Sequence, residues 1–240
     1  MQFYFIRHGQ STNNERWERT GSNHGRSEDP TLTKTGQKQA ERLAQCLSQG
    51  APSATVDGRD PKNLSGFGIT HLYCSLMVRA VATATAIAEA VHLPLWAWKD
   101  LHETGGIFLD DPETGEPVGL PGKSRAYFEQ HYPLLRLPDT VNAHGWWNRP
   151  FEERADRLPR AQCVVRDLME RHGGTPDRVA VVSHGGFCNY VMSVFFDVPR
   201  REHQWFLMNN AAITRIDFDA DQTVLVYANR TDFMPDEWIT

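Results

Sequence analysis

Arg7-His8-Gly9-Gln10-Ser11, with Asn14 three residues beyond Ser11, sets a guanidinium and an imidazole side by side at the head of a short polar turn. At average residue usage, a chance Arg-His-Gly-x-Ser in a chain of this length is on the order of one in a thousand. A second imidazole stands in Ser183-His184-Gly185-Gly186, and a second guanidinium in Ser75-x-x-x-Arg79-Ala80-x-x-Thr83-Ala84. These residue types suit a phosphoryl group. Arginine's planar fork holds phosphate in bidentate fashion, which the point charge of lysine cannot do. A Gly-Gly step between a strand end and a helix start makes an anion cradle of backbone N–H groups. By contrast His24, His92, His131 and His172, each taken singly, read as packed or surface residues.

Residues so far apart must be gathered by the fold. The run from 2 to 6 is apolar and aromatic and reads as a buried strand that ends at Arg7-His8. Residues 69 to 74 read as a second strand, leading through Ser75 into an alanine-rich helix over 76 to 91 that Pro94 breaks. Residues 178 to 183 contain Val-Ala-Val-Val, the composition of a central strand, followed by His184-Gly185-Gly186 and an apolar helix to Phe196. Three strand ends therefore carry the ionisable residues. In open parallel sheets, sites form in the crevice beyond the C-terminal strand ends.

The remaining pattern completes an α/β plan. Residues 32 to 49 place Ala40, Leu43, Ala44 and Leu47 at helical spacing and stop at Gly50; 50 to 68 is a Gly-, Pro-, Ser- and Asp-rich surface connection. Residues 151 to 172 predict a helix with Phe151, Ala155, Leu158, Val165, Leu168 and Met169 on one face, kinked or restarted at Pro159. Residues 213 to 218 and 224 to 227 predict a closing hairpin around 219 to 222. Between 105 and 150 the pattern dissolves into Gly, Pro and Asp punctuation, with one short helix at about 124 to 132, and suggests an irregular, lid-like insertion. The expectation is one domain over residues 1–240, a three-layer α/β/α sandwich with a mostly parallel central sheet.

Composition narrows the function. With 240 residues, 40% of them hydrophobic, the chain can bury a core unaided by metals or disulfides. A formal charge of −5 draws the whole molecule neither to nucleic acid nor to anionic lipid. Cys46, Cys74, Cys163 and Cys188 lack the spacing of a zinc site or redox pair, no signal peptide opens the chain, and no apolar run approaches the ~18 residues of a membrane span. These features point to the cytoplasm and a small-molecule partner; nothing in the motifs bears on oligomeric state.

The clusters at 7–14, 75–84 and 183–186, together with Glu103, resemble the histidine phosphatase superfamily in its phosphoglycerate-mutase-like branch. Asp29-Pro30, Leu32-Thr33, Gly36 and Gln39-Ala40 are similar to that family's next segment, with Thr31 as an additional residue. The resemblance covers about 1–40, 69–104 and 178–216. It implies a phosphoglycerate-mutase-like sandwich, a phosphohistidine on His8, a phosphate clamp of Arg7, Arg79 and His184, and Glu103 as proton donor; no cofactor or metal is implied. Asn14, for phosphate, and Gln10, Ser11 and Gly185, for substrate, are further candidate contacts. Ser11 and Asn14 equally suit a helix cap, and Asn209 and Asn210 either support His184 or make a turn.

The chemistry agrees with those roles. A transferring phosphoryl group spreads charge over its equatorial oxygens, so catalysis is positioning plus cationic clamping. An imidazole attacks only when neutral, and two neighbouring guanidinium groups disfavour its protonation. A departing alkoxide needs a proton, and a carboxyl in a dry, anion-rich setting can supply one. Glu103 closely follows the strand-like 95–98; Asp110, Asp111, Glu113 and Glu116 are its rivals.

Phosphatase and mutase share this chemistry and differ in what accepts the group. Mutases resembling this chain hold a bisphosphate with a basic insert after the acid, and some need bisphosphate priming. Residues 104 to 122 instead hold four acidic residues and no Lys or Arg, which favours hydrolysis. Phe108, Tyr127, Trp146 and Trp147 either line a substrate pocket or pack in the core. The same basic residues would also serve a non-catalytic phospho-ligand module, which the complete set of nucleophile, clamp and acid argues against. A metallohydrolase is disfavoured because His102-Glu103 lacks the second histidine of an HExxH helix.

Overall fold

The computed structural model describes residues 1–50, 60–199 and 203–240. In chain order its strands are β1 (Gln2–Arg7), β2 (His71–Cys74), β3 (Leu95–Ala97), β4 (Phe108–Asp110), β5 (Pro117–Gly119), β6 (Leu135–Arg136), β7 (Arg178–Ser183), β8 (Ile213–Phe218) and β9 (Thr223–Arg230). The helices are α1 (Thr12–Thr20), α2 (Lys34–Ser48), α3 (Val78–Val91), α4 (Arg125–His131), α5 (Arg154–His172) and α6 (Gly185–Phe195). Seven strands form one sheet in the order β6-β3-β2-β7-β1-β8-β9. The first five of that order are mutually parallel, and β8 runs against both β1 and β9.

The two-residue period of the strands builds two cores. On one face Tyr4, Ile6, Leu72, Cys74, Ala180 and Val182 pack with Leu43 and Leu47 of α2 and Val81 and Ile87 of α3. On the other, Phe3, Phe5, Val179 and Val181 meet Val164 and Leu168 of α5 and Phe187 and Val191 of α6. This is the expected three-layer sandwich with a mostly parallel sheet. The expected burial of Ala40, Leu43, Ala44 and Leu47 also holds.

Several local expectations need correction. α5 begins at Arg154 and continues through Pro159; its buried residues are Ala161, Val164, Leu168 and His172, while Ala155 and Leu158 face solvent. Proline removes the N–H that would bond the carbonyl of Ala155, and at an exposed turn water can satisfy that oxygen. The apolar pattern was therefore in phase only around Leu168. Residues 105–150 are more ordered than their punctuation suggests: β4 and β5 make a small hairpin, β6 extends the main sheet, and Phe128, Val141, Trp146 and Trp147 join the first core. Strands of two or three residues are too short to show a period. α1 has no buried residue and so offers no apolar stripe to read. The surface connection expected at 50–68 lies in part outside the described residues. Among the described residues, no helix is long and apolar enough to cross a membrane.

Candidate active site

Sheet register brings the three strand ends level. Arg7 on β1 stands opposite Ser183 on β7, and Cys74 on β2 opposite Val182. The pairing continues one step past the strands, where the His8 amide donates to the Ser183 carbonyl and the Ser75 amide to the Val182 carbonyl, each at 3.0 Å. The rings of His8 and His184 consequently lie 5.0 Å apart at a tilt of 58°.

His8 is buried, and its hydrogen bonds define its tautomer. Nδ1 lies 2.7 Å from the Gly9 carbonyl, which can only accept, so Nδ1 carries the proton. Nε2 accepts from Arg79 Nε at 3.1 Å and therefore presents its lone pair toward the guanidinium. Burial first, then the charges of Arg79 and Arg7, hold the His8 pKa well below the ordinary imidazole value. The ring is neutral near pH 7 and able to act as a nucleophile.

His184 is held in a complementary way. Its Nε2 is 2.9 Å from Ser75 Oγ, which accepts from the Met77 amide; the hydroxyl hydrogen has Nε2 as its one acceptor among the described residues and is assigned to it. The proton then sits on Nδ1, which is buried and has no partner among the described residues. Burial, then Arg79, keeps this ring neutral as well. Arg7 gives Nη1 to the Met208 carbonyl at 2.5 Å, and its buried Nε has no partner among the described residues. Two buried, unpartnered N–H donors beside a lone pair suit an anion rather than a metal cation.

The loop after β1 is fixed by close backbone contact. A Cβ on Gly9 would lie 2.5 Å from the Gly36 carbonyl oxygen, and one on Gly36 would lie 2.0 Å from that of Gln10, so neither position admits a side chain. Ser11 caps α1 and makes a reciprocal capping box with Asn14. The Asn14 Oδ1 is engaged by Ser11 and, at 3.4 Å, by Asn210, which leaves the Asn14 Nδ2 donor available. Gln10 bonds Glu18 and Thr33 through its two amide ends, a structural tie rather than an open contact. A Cβ on Gly185 would meet the Arg7 side chain at an ordinary 3.5 Å. Asn210 donates to the His8 carbonyl at 3.0 Å, so its support goes to His8 rather than to His184.

Glu103 lies at the start of α6. Its carboxylate accepts from the amides of Thr104 (2.7 Å), Gly186 (3.0 Å) and Phe187 (2.9 Å). Its surroundings are donors, with Arg7 in electrostatic reach, and not the anion-rich setting expected from sequence. Asp110, Asp111, Glu113 and Glu116 are at the exposed end of the β4–β5 hairpin or along its rim, where Asp111 Oδ1 holds the turn through the Glu113 and Thr114 amides.

Three supporting groups escaped sequence reasoning. Buried Asp29 accepts from the Val78 amide at 3.0 Å, capping α3 from a distance, and faces Arg79 Nη1 at 3.9 Å. Burial raises its pKa to about 6 in spite of Arg79. Glu152 and Arg160 form a buried bidentate pair; Glu152 accepts from the Gly105 amide, and Arg160 donates to the carbonyls of Asp100 and His102, so the pair clamps the Glu103 loop from both sides. Arg26 stacks 4.1 Å above Phe108 and senses the charges of Arg79 and Glu103, yet its guanidinium has no hydrogen bond or ion pair among the described residues. Long sequence separation hid all three.

The aromatic residues divide. Trp146 and Trp147 are core residues, and Trp147 packs on His102 and under Arg149. Phe108 and Tyr127 each lie beneath a cation, Arg26 and Lys123.

With this arrangement in view, the family is identified: the sequence matches the model of the histidine phosphatase superfamily, branch 1, over residues 3–57 and 61–231, and the chain belongs to that superfamily. Its fold is similar to that of YhfR of Bacillus stearothermophilus, with 20% identity, a TM-score of 0.61 and coverage of 97% of this chain and 98% of the other. It is also similar to mycobacterial glucosyl-3-phosphoglycerate phosphatase in complex with VO3, at 21% identity, TM-score 0.59 and coverage of 96% and 99%. A putative alpha-ribazole-5'-P phosphatase from Escherichia coli matches at 18% identity, TM-score 0.62 and coverage of 96% and 97%. No curated protein matches the sequence at a significant level.

Proposed function

We propose that the protein hydrolyses small phosphomonoesters through a phosphohistidine on His8. The observation that carries this reading is the neutral His8 ring with its Nε2 lone pair 3.1 Å from a clamping arginine, beside unpartnered N–H donors of Arg7 and His184. Phosphatases of glucosyl-3-phosphoglycerate and phosphoserine among the structural relatives support the substrate class.

In this mechanism Arg7, Arg79, His184 Nδ1 and Asn14 Nδ2 hold the phosphoryl oxygens. Arg79 Nε leaves His8 and turns to the incoming group, and Nε2 attacks phosphorus as the ester P–O bond breaks. Glu103 passes a proton to the departing oxygen. In the second half Glu103 accepts a proton from water, which attacks phosphorus, breaks the P–N bond and releases phosphate. Arg26 faces the non-reacting part of the substrate, where it favours a second anionic or strongly polar group. The free thiols fit a reducing compartment, and we place the protein in the cytoplasm.

A panel of phosphomonoesters offered to wild type, His8→Ala and Arg79→Ala tests the reading. Phosphate release by wild type and its loss in both folded variants is expected; a folded wild type that binds phosphate and releases none returns it to a binding module.

A further inference from the structure

A second cluster lies at the opposite pole of the sheet. His71 opens β2, Asp177 precedes β7, and His172 ends α5. His172 Nδ1 is 2.8 Å from Asp177 Oδ2, His71 Nδ1 is 3.9 Å from the same oxygen, and one donor atom from each of the three residues lies within 4.8 Å of the others. The imidazole rings face one another at 4.6 Å. At ~3.3 Å per residue, the lengths of β2 and β7 put this cluster roughly 13–20 Å from Ser75 and His184. The reaction at His8 makes no use of it.

We propose that His71, His172 and Asp177 form a binding site for one divalent transition-metal ion of the zinc type, which clasps the end of α5 to the starts of β2 and β7. Donors around a tetrahedral ion with bonds of ~2.0–2.1 Å stand ~3.4 Å apart, a value the spacings here bracket. Three protein ligands leave a fourth position for water. His71 and Asp177 keep 38% and 24% of their side-chain surface open, which gives the ion a way in.

The outer shell fits this use. A metal-bound histidine ordinarily donates its other ring N–H to a fixed partner. Tyr73 Oη lies 3.0 Å from His172 Nε2 and supplies that partner. On binding, the His172 proton moves from Nδ1 to Nε2, and Nδ1 gives its lone pair to the ion. Thr70 Oγ1 lies between His71 Nδ1 (2.9 Å) and the Arg178 carbonyl (3.2 Å); donation to the carbonyl frees the His71 nitrogen. Of the cations adjacent in sequence, Arg178 is tied to the Phe67 carbonyl and Arg171 stacks on Trp98. His172 and Asp177 meet across the short turn from α5 to β7, and pairing of β2 with β7 brings in His71 from about a hundred residues away.

Chelator-treated full-length protein, titrated with Zn2+ and followed by calorimetry and thermal unfolding, tests the proposal. One equivalent bound with a rise in Tm is expected. His71→Ala and Asp177→Asn should each weaken binding at least ~100-fold, Tyr73→Phe by ~10–100-fold, and His8→Ala not at all. His71 is partly exposed, so its variant remains informative if Asp177→Asn fails to fold. No uptake by wild type, or uptake and Tm shift unchanged in folded His71→Ala, would overturn the site. Hydrolysis at His8 can fail its own tests without touching this result.

Discussion

Replacing Gly186 by alanine puts a methyl group where Glu103 now sits. The new Cβ would lie 2.5 Å from Glu103 Oε1, and ordinary contact starts at 3.4 Å, so the carboxylate must retreat by about 0.9 Å. The bonds it accepts from the Gly186 and Phe187 amides, 3.0 and 2.9 Å long, then stretch or break. Misplacement of a reacting group by ~1 Å costs on the order of 10²-fold, within the ~10²–10⁴-fold that a general acid contributes. The loss should depend on the leaving group. An alkyl phosphate needs the proton and should slow by about 10²-fold in kcat, whereas a nitrophenyl phosphate, whose anion departs unaided, should slow far less. Alanine is also the better helix former by ~1 kcal/mol, so unfolding should not account for the loss. Steady-state kinetics on both esters, with thermal unfolding alongside, decide the matter. An equal loss on both, or full activity on the alkyl ester, would refute Glu103 as proton donor.

Other perturbations test the groups that support the site. The raised Asp29 pKa means that the native state binds more protons than the unfolded chain between pH 3.8 and about 6, so wild type loses stability as pH rises through that window. Asp29→Asn removes the titration; its stability relative to wild type should climb by up to ~3 kcal/mol from pH 4 to 7, while kcat falls because Arg79 loses its anchor, and a flat difference would contradict the burial argument. Glu152→Gln breaks a buried ion pair and should cost about 3–5 kcal/mol in urea unfolding, with a drop in kcat in the protein that remains folded. Arg26→Ala should raise KM about tenfold for phosphates bearing a second anionic group and leave kcat near wild type; an equal change for a simple alkyl phosphate would remove Arg26 from substrate selection.

The residues proposed to do the chemistry were legible because they cluster at strand ends. Arg-His-Gly, Ser-His-Gly-Gly and the Ser75–Arg79 spacing each join a strand to a turn, and strand register alone aligns them. The central strands followed from the continuous apolar runs at 2–6 and 178–183. What failed was any feature set by a distant partner. The first turns of α5 leave Ala155 and Leu158 exposed to solvent, and Trp146 and Trp147 are held by backbone bonds to Lys123 and Pro121, in a segment with no pattern to read. Gln10, read as a substrate contact, bonds Glu18 and Thr33 in the structure without ligand. Asp29, Arg160 and Glu152 act on groups about 50 or more residues away, beyond the reach of local spacing.

Rapid quenching of the enzyme with a phosphomonoester during turnover, followed by peptide mass spectrometry under alkaline conditions, examines the covalent step itself. A phosphate that is acid-labile, base-stable and located on the peptide containing His8, absent from His8→Ala, is the predicted result. Normal turnover by His8→Ala, or a phosphate trapped on a different residue, would contradict the account.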